Sequence, residues 1–359
     1  MLYCTKCGEE LPDDANFCHK CGERTEKGIE EGAPEVSRRR ADWEDELEEA
    51  VSSAAKGIEE GLHAAFEGMR GARWGQNRYR VEEDKSFSGE VTSGRVFFSV
   101  MNYNGVVKVS TWDKPEYKID MTMKAWGYTK EEAEANLDQL KIELNEMDDE
   151  VQKKLILDIE RPADTWKRYS VDIDIVLPAS AENDLDVSSS NGGISINEVK
   201  GKTLKMSTSN GRLKLSDLSA KLISGKTSNG RITLDDVTAD RLECRTSNGR
   251  IEGKVDALEA FLRTSNGKVD LDLPCVRSGE YELKTSNGSV EVSVSESPSV
   301  GYDLDLHTSM SRVTVDIPDL VYTRNRKNSK RAKTADYESK EVKIYIDAGT
   351  SNGSVRVNS

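Results

Sequence analysis

The chain has 359 residues, room for two or three domains, with a formal net charge of -14 and a pI near 5.0. That acidity argues against bulk nucleic-acid binding, and an apolar content of 36% is low for a globular enzyme but suits a thin repeat with a narrow core. No stretch approaches the roughly 18 apolar residues of a membrane span, and Met1 to Glu10 has no apolar signal-peptide core, so a cytoplasmic location is expected, with peripheral membrane attachment as the variant.

Residues 1–24 hold Cys4, Cys7, Cys18 and Cys21 in the spacing C-x2-C-x10-C-x2-C. Two such knuckles let four thiolates converge tetrahedrally on Zn²⁺ at about 2.3 Å. Gly8 and Gly22 follow the knuckles, where the backbone must turn tightly. The segment is too short to fold on apolar burial, so one structural Zn²⁺ is expected to supply its folding energy. A redox dithiol is the rival; haem attachment would need His where Gly8 and Gly22 stand. The segment, including Leu11-Pro12 and Phe17, resembles the minimal zinc-ribbon family. Its acids outnumber its bases, which favours a protein-docking or merely structural module over phosphate binding.

Residues 25–41 read as a flexible linker, with Arg38-Arg39-Arg40 solvated. From 42 to 71 the period changes. Trp43, Leu47, Val51, Ala54, Ile58, Leu62, Ala65 and Met69 line one face of an amphipathic helix. The opposite face is rich in Glu, which disfavours an anionic membrane surface. Self-association through 42–70, or packing as a lid on the repeat, is expected.

The second domain is expected over 81–359. Phe98, Val100, Asn102, Asn104-Gly105, Val107 and Val109 are read as its first rung. Thr129 and Glu132 make a capping box for a helix from Lys130 to about Leu140. Residues of about 117–166 are read as an insertion between the first rungs, covering one end. Then Ser-Asn-Gly recurs, at Asn191, Asn210, Asn229, Asn248, Asn266, Asn287 and Asn352, with steps of 19, 19, 19, 18 and 21 residues across the first six. A worn copy stands at Thr308-Ser309-Met310-Ser311, and a second insertion is placed at about 319–341. Within it, Tyr322 to Ala335 holds six basic residues and no acid before Ala335, either a solvated loop or an anion-binding one.

A hydroxyl stands two residues before each repeated Asn. Apolar residues stand four and six before it, and aliphatic residues three and five after, broken once by Gly253. This alternation means strands with one buried face, and Asn-Gly is read as a turn at positive φ. An antiparallel meander and a solenoid both fit. Identical residues in identical register favour a mainly β, single-stranded β-solenoid, in which the asparagines stack as a structural turn ladder about 4.8 Å apart. The motifs N-Y-N-G-V-V-K-V-S-T-W-D, I-V-L-P, D-L-D-V-S-S-S-N-G-G-I-S-I and the serial T-S-N-G units resemble the putative-adhesin family, a domain of unknown function. The resemblance implies a β-helix and surface binding.

Two outward basic columns follow from the register: Arg212, Arg231, Arg250 and Lys268 after the turn, and Lys226, Arg245, Arg263 and Lys284 before it, followed by His307. Neighbouring acids or a bound anion would relieve their repulsion. The first functional reading is a non-catalytic binding or scaffold protein with protein partners. The second is adhesin-like binding of a polyanion or a membrane or envelope component through this basic edge. The third is a polysaccharide-acting enzyme using Asp217, Asp235, Asp236 and Asp240, although turns favour Asp in any case.

Overall fold

The computed structural model describes residues 2–3, 10–11, 79–148, 151–160 and 168–359. The chain divides into two compact units, Met1–Gly75 and Gln76–Ser359. In the first, β1 (Leu2–Tyr3) pairs antiparallel with β2 (Glu10–Leu11). The four ribbon cysteines, the linker 25–41 and the helix 42–71 lie outside the described residues.

The second unit opens with β3 (Tyr79–Glu90), β4 (Arg95–Asn102), β5 (Val107–Trp112) and β6 (Glu116–Gly127). Helix α1 (Lys130–Asp138) follows. The Thr129 hydroxyl accepts from Glu132 N–H at 3.1 Å, and the Glu132 carboxylate accepts from Tyr128 N–H at 2.7 Å, so two otherwise orphaned donors are satisfied at its start. Next come β7 (Lys141–Asp148), β8 (Lys153–Glu160), β9 (Tyr169–Pro178), β10 (Glu182–Ser189), β11 (Ile194–Asn197) and β12 (Lys200–Thr208). The long strands β13 (Leu213–Thr227), β14 (Ile232–Thr246) and β15 (Ile251–Thr264) each leave one Asn-Gly turn and reach the next. The chain ends with β16 (Val269–Leu273), β17 (Gly279–Lys284), β18 (Val290–Val294), β19 (Val300–Thr308), β20 (Val313–Asp316), the hairpin of β21 (Leu320–Arg326) and β22 (Ser329–Thr334), then β23 (Val342–Thr350) and β24 (Val355–Asn358).

Coils pair with coils in parallel. Ile194 lies beside Leu213, then Ile232, Ile251, Val269, Val290 and Val355. Before the turn, Leu185, Leu204, Ile223, Leu242, Ala260, Tyr281 and Ile346 form a matching column. Both columns are almost wholly buried. A meander would pair successive copies antiparallel, so the repeat is a β-solenoid whose slender core is one aliphatic stack. The corner is closed in three successive coils by Glu198, Asp217 and Asp236 at φ of 56°, 53° and 51°, a left-handed region that aspartate enters more readily than glutamate. Gly253, the gap in the aliphatic column, sits at φ 138° beside the register shift between Leu234 and Val237, where the 18-residue repeat absorbs its missing residue.

Spatial order departs from chain order at both ends. The β4–β5 coil is not the outermost: β8 and β9 form a further coil on its outer side, while β10 and β11 pair with its inner side. Residues 117–166 are therefore not a bare insertion, since β8 is a rung. At the other end, the last copy, β23–β24, lies between the β17–β18 coil and the β19–β20 coil. The intercalated strands gain a neighbour on each side, and antiparallel strands close the ends: β7 on β8, β6 on β9 with β3 on β6, and the β21–β22 hairpin on β19.

Candidate functional site

The Asn-Gly turns form one edge of the stack. Eight asparagines make a single chain of amide bonds: Asn191 donates to Asn104, and Asn210, Asn229, Asn248, Asn266, Asn287 and Asn352 each donate Nδ2 to the Oδ1 of the asparagine beneath, at 2.6–2.9 Å. Asn352 bonds directly to Asn287, because the worn copy with Met310 lies beyond it rather than between them. Asn104, which the 81–117 segment contributes, completes the ladder.

The hydroxyl two residues before each repeated Asn is buried, and in six of the seven copies it bonds both within and between coils, Ser189 bonding only the Gly192 N–H of its own turn. Thr227 Oγ1 accepts from Gly230 N–H at 3.1 Å and donates to the Gly211 carbonyl at 3.0 Å. Thr208, Thr246, Thr264, Thr285 and Thr350 repeat both bonds. At the end of the column, Asn102 takes this place, fully buried, with its amide donating to the Val171 carbonyl at 2.8 Å.

The glycine in these turns is not chosen for positive φ. Among the described glycines only Gly105 and Gly253 have it. A Cβ on Gly192, Gly211, Gly230, Gly249, Gly267, Gly288 or Gly353 would instead lie 1.6–1.9 Å from the glycine carbonyl oxygen of the neighbouring coil. Close backbone approach between coils excludes every side chain there.

The basic columns flank this edge with different electrostatics. After the turn, carboxylates neutralise most of the charge. Arg231 and Arg250 share Glu252 at 3.1 and 3.2 Å, and Lys268 lies 2.7 Å from Asp270 and 2.6 Å from Glu291. Burial pulls the Lys268 ammonium down, but these two carboxylates outweigh it and hold its pKa above the usual lysine range. Arg212, at the end of this column, is exposed. Before the turn, Lys284 pairs with Asp347 at 2.5 Å. Lys226 is different: burial pushes its pKa below the usual range, Glu243 opposes that, and Arg245 and Lys205 add to it. Arg263 stands next to Arg245 in the same column, exposed. His307 does not follow Lys284, because Gly349 intervenes, and a Cβ there would meet the His307 ring at 2.4 Å.

The carboxylates considered for catalysis do corner work. Asp217 and Asp236 hold the left-handed corner, Asp236 binds Lys254 at 2.6 Å, and Asp240 faces Arg277 at 3.6 Å. Cys244 is fully buried, and burial pushes its thiol up to about 12. The basic segment from Tyr322 is a strand pair rather than a loop. Asp305 holds Arg324 at 2.8 Å and Arg331 at 2.9 Å, a pairing hidden in the sequence because the partners come from separate strands.

In the first unit, Leu2 is the backbone partner of Leu11 in the β1–β2 pair, and Cys4 and Cys7 fall between the two strands in sequence. Four thiolates in two Cys-x2-Cys pairs are a donor set that fits a tetrahedral Zn²⁺ held by Cys4, Cys7, Cys18 and Cys21. No helix of the described residues is long and apolar enough to cross a membrane.

Residues 106–357 match the family model described as Toastrack DUF4097, and residues 3–24 match that of a zinc-ribbon domain. Among solved structures, the chain is similar to a putative adhesin from Parabacteroides merdae, at 13% identity and a TM-score of 0.40, over 77% of this chain and 97% of that one. A putative lipid binding protein from Parabacteroides distasonis is similar at 14% identity and a TM-score of 0.37, over 77% and 97%. A putative cell adhesion protein from Clostridium sporogenes is similar at 11% identity and a TM-score of 0.29, over 77% and 99%. No curated protein matches the chain.

Proposed function

This chain belongs to the Toastrack DUF4097 family, with a zinc ribbon ahead of that domain, and from this premise we propose that it is a non-catalytic binding scaffold that works in the cytoplasm. The observation that carries the reading is how the repeat spends its polar groups. The Asn, Thr and Gly of every turn are consumed in bonds between coils, and the interior is filled by aliphatic side chains. What the coil offers a partner is a rigid wall of outward side chains. One structural Zn²⁺ on Cys4, Cys7, Cys18 and Cys21 holds the ribbon as a protein-docking module.

Leu258 and Val276, 43% and 69% exposed, mark apolar points on this wall away from the ladder. Full-length protein carrying a photoreactive residue at either position is expected to form discrete heavier adducts with other proteins on illumination in cells. Absence of adducts from both positions would contradict the scaffold reading.

A second reading rests on the column before the turn. Lys226, Arg245 and Arg263 stack about 5 Å apart; burial is the main cause of the lowered Lys226 pKa, and Arg245 and Lys205 add their repulsion. An anion along this short column would relieve it. Lys226→Glu with Arg263→Glu should abolish low-salt binding of polyphosphate, and equal binding by wild type and variant would end this reading.

A further inference from the structure

The two ends of the stack carry opposite charge on open strand edges. Among the described residues β7 pairs only with β8, and β21 only with β22. Both strands belong to the layer that precedes the turn, one at each end. Each leaves backbone N–H and C=O groups facing away from its neighbour, and on β7 the Ile142 carbonyl is already taken by Lys85 Nζ of β3 at 2.6 Å.

At the β7 end, Glu143, Asp158 and Glu160 gather around Lys141 on the outer face. At the β21 end, residues 320–334 carry Arg324, Arg326, Lys327, Lys330, Arg331 and Lys333 and no acid. Asp305 takes Arg324 and Arg331, and Glu338 takes Lys333 at 2.9 Å, while Arg326 and Lys327 stand exposed at the hairpin tip. Each edge also exposes an apolar residue: Met147 is 52% exposed and Val321 56%.

Charged residues on an edge strand ordinarily keep edges apart. That device needs like signs on the edges that meet. Here a basic edge and an acidic edge lie at opposite ends of one layer, so two copies in line attract.

Strand direction permits the contact. β8 and β19 run with the coils, β7 runs against β8, and β21 is returned to the coil direction by two antiparallel pairings. The β21 strand of one copy therefore meets β7 of the next antiparallel. In the register that sets Arg326 opposite Glu143, the bulge between Tyr322 and Arg324 brings Val321 opposite Met147. The ends are also stepped in opposite senses. Beyond the last coil, β22 and β21 extend the layer before the turn while the other layer stops at β20. Beyond the first coil, β6 and β3 extend the layer after the turn while the other adds only β7.

We propose that copies of this chain add head to tail, β21 of one pairing with β7 of the next, into open linear stacks that continue the coil axis. The contact is heterologous and does not close, so its product is a series of lengths rather than one oligomer. This holds whether or not the scaffold reading does, since it concerns the chain's contact with itself.

Sedimentation velocity of the full-length protein tests it. The average mass should rise with protein concentration at low salt and fall as salt is added. Arg326→Glu with Lys327→Glu sets an acid opposite Glu143 across the contact, and Glu143→Arg sets a base opposite Arg326. Each variant alone should associate at least about tenfold more weakly than wild type, with an unchanged circular-dichroism melt. Mixed together, the two variants should assemble again in alternation. A wild type that stays monomeric at every concentration would overturn the proposal, as would variants that assemble like wild type through another surface, such as residues 42–70, or a mixture that does not recover.

Discussion

Replacing Gly230 with Ala adds one methyl group at a buried turn position, and the geometry assigns it a large cost. The new Cβ would lie 1.7 Å from the Gly211 carbonyl oxygen and 2.6 Å from its carbon, where real Cβ atoms essentially never come within 3.0 Å. The coils must part locally by more than about 1 Å, and the obstacle is backbone, which cannot swing aside. Four bonds cross this gap: Thr227 Oγ1 to Gly211 O at 3.0 Å, Ser228 N and Asn229 N to Ser209 O at 3.1 and 3.0 Å, and Asn229 Nδ2 to Asn210 Oδ1 at 2.7 Å. At about 1 kcal/mol net each, their loss comes to about 4 kcal/mol, a large share of the ~5–15 kcal/mol that holds a typical domain. Gly94→Ala is the control, since nothing lies within 4 Å of its Cβ, and its effect should stay within about 1 kcal/mol of neutral. Urea titrations followed by circular dichroism should show a much lower midpoint for Gly230→Ala and little change for Gly94→Ala. Gly230→Asn separates the causes, because Asn tolerates positive φ but not the clash. A mild Gly230→Ala, or an Asn variant far more stable than the Ala variant, would refute the close-approach argument.

Thr227→Val keeps shape but strands the Gly230 N–H and a Gly211 carbonyl bond, so it should cost about 1–3 kcal/mol in the same titration, whereas Thr227→Ser should cost less. Burial pushes the Asp172 carboxyl up, but Lys124 at 2.5 Å and the Val106 N–H at 2.8 Å outweigh it and hold its pKa below the usual aspartate range. A carboxyl lowered by folding contributes fully above its unfolded-state pKa near 4 and loses that contribution as pH falls through the folded value. The melting-temperature advantage of wild type over Asp172→Asn should therefore be present at pH 7 and shrink in acid. Cys244, with its thiol pushed up to about 12, should react with a thiol reagent at pH 8 only as fast as the repeat unfolds, which a time course in urea would show. Purified full-length protein should carry one Zn²⁺ per chain by elemental analysis, lost on Cys18→Ser with Cys21→Ser.

The repeat was legible because a solenoid writes its register into the chain. Like residues must lie over like, so the Thr, Asn and aliphatic columns stand at fixed offsets in the sequence itself. The capping box at Thr129 and Glu132 was equally local. Stacking order was not legible. A coil presents the same pattern whichever coil lies beside it, and nothing around Asn352 declares that its neighbour is Asn287 rather than the worn copy at Met310. The role of the turn glycines is hidden for a related reason: Asn-Gly in isolation points to positive φ, and only the adjacent coil supplies the carbonyl that excludes a Cβ. The neutralisation of Arg231 and Arg250 by Glu252 could be foreseen from their common register, whereas the capture of Arg324 and Arg331 by Asp305 depends on an antiparallel return that no periodicity announces.

The order of the last coils is the sharpest consequence of the stack. Glu282 pairs with Asp347, and Asp347 with Asp305, so Glu282 and Asp305 lie two strands apart although they are nearer in sequence. Adjacent in-register strands are about 4.8 Å apart, within disulfide reach, and alternate ones are about twice that, beyond it. Under mild oxidation, Glu282→Cys with Asp347→Cys should bridge nearly completely by mass spectrometry, and Glu282→Cys with Asp305→Cys should not. The opposite result would place the coils in chain order and contradict the architecture.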